Sequence, residues 1–165
     1  MKVSSALAGG LAGTITVASL HEAMRRISPA APRMDLLDMD LLRLGLTKMN
    51  KKLPEDNTLQ RWAVGGELFC DTAYFSMVAA GGKKRAWLYG ALLGLAAGVA
   101  AVVLPKSMGL PAESSNKTVG TRIMTIGMYL MGGLASAAIA QLVERSRKRN
   151  DYVEEINENW IIDHS

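Results

Sequence analysis

Two carboxylates stand inside an apolar stretch of this chain, and any chemistry would start from them. The stretch is WAVGGELFCDTAYFSMVAA, residues 62–80, and it carries Glu67 and Asp71. A spacing of i, i+4 puts both on one helix face, with Tyr74, at i+3 from Asp71, beside them. A carboxylate facing hydrocarbon costs several kcal/mol, so both acids are expected to face a protein interior, where they are paired or protonated. Three uses follow from that placement. The acids relay protons or hold a cation, as in a transporter. Together with His21 and Glu22 they supply N and O ligands for a metal such as zinc or iron. Or they form a buried ion pair that fixes helix register, which is the expected use. The sequence HEAMR has Arg25 where a metalloprotease HExxH motif needs its second histidine.

The partners expected for the acids come from depth. The first apolar stretch leaves the membrane near His21 and the second enters it near Trp62, so both ends lie on one side. At about 1.5 Å per residue, Glu67 then sits roughly one to two turns below that surface. His21, Glu22, Arg25 and Arg26 occupy a similar level on the neighbouring helix. Arg25 or Arg26 is therefore expected to pair with Glu67, and His21 to lie near Glu67 or Asp71.

The elements that would position these residues are long and predominantly apolar. Residues 3–26, 62–80, 86–104 and 122–143 form four apolar stretches, and the charges crowd between them. A soluble domain interleaves the two classes at helical or strand spacing, whereas a bilayer segregates them. Unpaired backbone groups find no water in hydrocarbon, so the spans must be helices. They are too long and too continuously apolar for barrel strands. The expected fold is all-α and polytopic, a four-transmembrane-helix bundle occupying residues 1–149, with an acidic tail at 150–165. The first stretch also fits a secretory signal. Its length, its glycines and the lack of an A-x-A pattern after it favour a retained helix.

Between the first two spans, residues 34–53 place Met34, Leu37, Leu41 and Leu44 at helical spacing, with Asp35, Asp38 and Arg43 expected elsewhere on the wheel. This segment is expected to be an amphipathic helix in the headgroup plane or across the end of the bundle. Pro29 and Pro32 precede it and Pro54 follows it.

Small residues supply the packing signal. Gly90, Gly94 and Gly98 recur every four residues, Gly9 and Gly13 repeat that spacing on the first span, and Gly132, Ser136 and Ala140 do so on the fourth. Such stripes let helix backbones approach closely. Packing within the chain is the expected use; a glycine-zipper channel or a dimer seam is the alternative. Met124, Met128 and Met131 read as packing filler, and Cys70, turned about 100° from Asp71, as a small packing residue.

Composition excludes several classes. The 165 residues carry a net charge of +4, with most basic groups beside apolar stretches, which suits lipid headgroups and topology better than nucleic acid. A single cysteine allows no intrachain disulfide and no cysteine–histidine metal spacing. No Walker loop, dinucleotide fingerprint or nucleophile elbow is present, and no cofactor is expected. Asn116-Lys117-Thr118 is a short, unspecific match to a glycosylation acceptor, and His164 near the chain end is assigned no role. Four spans leave both termini on one side, with 8 of the 19 basic residues there and 11 on the other. That count does not orient the chain. The dense groups at Lys83–Arg85 and Arg145–Arg149 lean it towards cytoplasmic termini in a bacterial inner membrane. The expected role is structural or accessory, with the lipid bilayer, a homo-oligomer or larger membrane complex, and a soluble contact for the tail as partners. A small proton, ion or solute transporter is the alternative, and a membrane metal protein or enzyme comes third.

Overall fold

The computed structural model describes residues 1–110 and 113–163, and every element among them is helical. Three stretches are long and apolar enough to cross a membrane: Val3–Ile27, Asp56–Ser107 and Val119–Glu154. Their side chains follow the inverted rule of a lipid-solvated protein. Leu7, Leu11 and Ile15 form an exposed stripe, while Ser5, Thr14, Thr125 and Ser136 are buried. In water that arrangement would waste the hydrophobic effect. In lipid, apolar side chains gain nothing from facing each other, and small residues gain from close backbone contact. The chain is a membrane-embedded helical bundle.

Helix α1 (Val3–Ile27) ends where the Ser28 N–H still reaches the Met24 carbonyl at 3.0 Å but Pro29 cannot continue the ladder. Helix α2 (Met34–Lys48) is shorter than the segment expected from sequence. Asn50 adopts φ 53°, and the Lys51 N–H bonds the Leu46 carbonyl at 2.9 Å, so a left-handed cap stops the helix before Leu53. Helix α3 (Asp56–Ser76) is anchored at its start by Asp56, which accepts from Arg43 of α2 at 2.7 Å.

The stretch Asp56–Ser107 is broken at its middle. A 3-10 turn, Met77–Gly81, leads to Gly82 at φ 64°, a conformation that costs a side-chain-bearing residue. Helix α4 (Gly82–Ser107) then runs back antiparallel to α3, and the Tyr74 hydroxyl donates to the Leu93 carbonyl at 2.8 Å. A short helix α5 (Glu113–Asn116) follows, with the Ser115 hydroxyl on the Ala101 carbonyl at 2.6 Å. Helix α6 (Val119–Asp163) starts at Thr118, whose Oγ1 accepts the Thr121 N–H at 3.0 Å. The residues expected as a separate tail from 150 continue this helix through Asp163. His164 lies outside the described residues.

Helix α6 is the hub. Gly9 and Gly13 of α1 rest on Ser136, Ala140 and Gly132, and Gly90, Gly94 and Gly98 of α4 rest on Gly133, Tyr129, Leu130 and Ile126. A Cβ placed on Gly94 would stand 2.6 Å from the Tyr129 carbonyl oxygen, and one on Gly98 would stand 2.7 Å from the Ile126 Cα. The stripes expected from spacing are thus used within the chain. Gly10, against Thr72 and Ser76 of α3, and Gly133 join them. Two buried polar links lock the same helices. Ser136 donates to the Phe75 carbonyl at 2.9 Å, and Ser5 donates to Glu144 at 2.8 Å. Met128 is buried in the core and Met131 is exposed. Cys70 is exposed too, on the outer face of α3, so it is not the packing residue expected from the wheel.

Candidate functional site

The site forms where α2 crosses the end of the bundle. Antiparallel pairing brings the end of α1, the start of α3, the end of α4 and the start of α6 to one side. Met34 and Leu37 of α2 bury themselves there with Val17, Phe75 and Met128, flanked by Leu41, Tyr74 and Tyr129. Residues 34, 37, 38 and 41 are one helical stripe, so the packing that buries Leu37 and Leu41 also turns Asp38 inward. Sequence reading assigned Asp38 to the outer wheel, although its spacing from Met34 and Leu41 was the available signal.

Asp38 therefore meets the two acids of α3. Its carboxyl comes within hydrogen-bonding reach of Glu67, and both Glu67 and Asp71 are close enough to act on it by charge. The Asp38 Oδ2 is buried and has no hydrogen-bond partner among the described residues. Two carboxylates have no proton between them to share, so an Asp38–Glu67 hydrogen bond requires one of them to be a carboxylic acid. Burial, then the Glu67 and Asp71 charges, push the Asp38 carboxyl up to about 8. The Asp38–Glu67 pair is thus expected to keep a proton at neutral pH. Tyr129 of α6 and Tyr74 of α3 border the group, and the Tyr74 ring packs edge-on against Phe75 with centroids 5.6 Å apart.

The cations expected in this site are elsewhere. Arg25 lies 3.6 Å from Glu22 and 3.4 Å from Asp35, and Arg26 lies 2.8 Å from Glu22; neither pairs with Glu67. Both arginines are at the outer end of α1, where a guanidinium keeps its hydration, and nearer acids satisfy them. Glu22 is taken up by these two arginines. Asp35 is also gripped by Arg33 at 3.0 Å. Burial opposes the Asp35 carboxylate, but the Arg33 hydrogen bond and the Arg33 and Arg25 charges hold it below its ordinary value. His21 does lie close enough to Glu67 to act on it by charge, and its Nε2 is 3.0 Å from the Pro32 carbonyl oxygen.

Depth alone thus brought together Glu67, Asp71, Tyr74 and His21, and set Glu22, Arg25 and Arg26 wrongly among them. Among the described residues no three His, Cys, Asp or Glu side chains converge tightly enough to hold a metal ion. What remains is an acid pair with a third acid beside it, facing no lysine or arginine in any ion pair of the described residues. No known protein family, characterised protein or solved structure matches this chain.

Proposed function

We propose that this chain is a small membrane protein of four crossings, α1, α3, α4 and α6, that handles protons through Asp38, Glu67 and Asp71. The observation that carries the reading is the Asp38–Glu67 contact, with no lysine or arginine paired to either acid among the described residues and only His21, itself a titrating group, near Glu67. An arginine in that place would make a permanent ion pair, useful for register and inert to pH. A pair of acids instead changes its charge as a proton arrives or leaves, and charge at the bundle end alters what α2 must pack against. Glu67 and Asp71 are only half-buried, so part of each side chain is left uncovered by protein.

In this reading α2 is the interfacial helix, and Lys2, Lys83–Arg85 and Arg145–Arg149 gather at the opposite end, suiting a cytoplasmic face of a bacterial inner membrane. A scaffolding role has its own support, since α6 runs on as a helix well past Glu144 and presents Tyr152, Val153 and Ile156 to solvent.

The experiment is proton flux in liposomes loaded with a pH-sensitive dye, read together with infrared detection of protonated carboxyl groups. The wild type is expected to carry a carboxyl band that vanishes between about pH 6 and about pH 10, and a flux above that of empty liposomes. Asp38→Asn is expected to lose both. If the wild type shows no such band and no flux, the proton reading is wrong and scaffolding is left.

A further inference from the structure

A cavity of about 230 Å3 opens beside Asp38, between α2, α4 and α6. Leu37 and Leu41 form one wall and Ala101 and Leu104 the other, while Asp38 and Tyr129 are its polar residues. At about 30 Å3 per water-sized group, the space accommodates roughly seven or eight heavy atoms. It is narrow and apolar, with a carboxyl in its wall. Every element around Asp38 leaves that carboxyl without a resident cation. Helix α3 offers Glu67 and Asp71, and α2 offers Asp35, already held by Arg33 and Arg25. Helix α6 offers the Tyr129 phenol, α4 lines the cavity with apolar residues only, and His21 of α1 acts on Glu67.

We propose that this cavity binds a small aliphatic primary ammonium ion, with its chain between the leucines of α2 and α4 and its head against the Asp38 carboxylate. The proposal rests on the proton-binding reading of Asp38 and gives that site its ligand. Charge selects the head group: three acids repel a carboxylate or phosphate, an alcohol lacks the charge, and an ammonium brings both a positive charge and donors to Asp38 in the cavity wall. The walls select the tail, each buried methylene adding about fourfold in affinity. The exchange balances in protons. Asp38 enters as a carboxylic acid and must ionise to hold the ammonium, so one proton leaves for each ammonium bound. With the Asp38 carboxyl raised to about 8, affinity is expected to fall about tenfold for each pH unit below that value.

The test uses the full chain in phosphatidylcholine nanodiscs, which present no primary amine, with empty discs as the blank. Hexylamine, hexanol and hexanoate are titrated calorimetrically near neutral pH in two buffers of different ionisation enthalpy. Hexylamine is expected to bind at least about tenfold more tightly than either isostere and to release about one proton. Ala101→Leu fills the cavity without touching an acid, and is expected to abolish amine binding while the infrared carboxyl band stays. Equal binding of hexylamine and hexanol, or unchanged binding in Ala101→Leu, overturns the proposal. Loss of hexylamine binding in phosphatidylethanolamine discs also overturns it, in favour of a lipid headgroup. A carboxyl band that titrates without any amine response sinks this inference alone, whereas absence of the band sinks the proton reading with it.

Discussion

Replacing Asp38 with asparagine keeps the shape of the side chain and removes its titration. In the wild type the folded-state value of about 8 lies above the ordinary 3.8, so the folded protein binds more protons than the unfolded one between those limits. Stability is then greatest in acid, falls as pH rises through the window, and is lowest once pH passes about 8. At about 1.4 kcal/mol per pH unit, the distance from 3.8 to about 8 sets a ceiling of roughly 6 kcal/mol on that loss. The opening that relieves it is the lifting of α2, because Asp38 sits on the stripe that docks this helix. Asp38→Asn removes this residue's share of the slope and is expected to be the more stable protein above about pH 8. The assay is thermal unfolding in detergent from about pH 5 to about pH 9, paired with hydrogen exchange of α2 amides, whose protection relative to the free-peptide rate at each pH should fall with rising pH more in the wild type than in the variant. A wild-type midpoint that is flat across this range refutes the reasoning, as does a variant that keeps the wild-type slope.

Two further outcomes test the rest of the structure. Gly94→Leu drives a side chain into the α6 backbone and is expected to cost about 1–3 kcal/mol or more, whereas Gly65→Ala, with no atom near its new Cβ, should be neutral or stabilising by up to about 1 kcal/mol; detergent melts of the two compare them directly. Arg25→Gln is expected to change stability by no more than about 1 kcal/mol and to leave the infrared band of Asp38 in place, because Arg25 serves Glu22 and Asp35 at an exposed helix end; a shifted band would return Arg25 to the acid group.

Much of this molecule is legible in its residues, and the failures have physical causes. Glycines at four-residue spacing point to close helix contacts because only a bare backbone permits them, and Gly90, Gly94 and Gly98 make those contacts. The level of Glu67 relative to His21 follows from rise per residue. Which acid an arginine chooses does not follow from depth: Arg25 pairs with Glu22 on its own helix and with Asp35 of α2, not with Glu67 at the level below. Asp38 was assigned outward because a charged residue on an amphipathic helix is ordinarily solvated. Its inward turn follows from the stripe it shares with Met34, Leu37 and Leu41, whereas its meeting with Glu67 is a tertiary fact that periodicity alone cannot supply. The early stop of α2 depends on one left-handed asparagine, a conformation that Asn adopts more readily than most residues but that its presence does not compel. Cys70 is exposed because α3 is packed from one side only, burying just Leu59, Ala63 and Phe75 among its residues.

The length of α6 carries a mechanical consequence. Its 45 residues amount to about 67 Å, more than twice the hydrocarbon thickness, and about 28 Å of that lies beyond Glu144. A stiff rod gripped along half its length by α1 and α4 behaves as a lever whose fulcrum is the glycine seam. A rocking of 10° within the lipid, well inside the range of tilts that spanning helices adopt, would swing the far end by roughly 5 Å. A change at the acid end of the bundle too slight to notice there would arrive on the opposite side of the membrane as a displacement that another protein can feel.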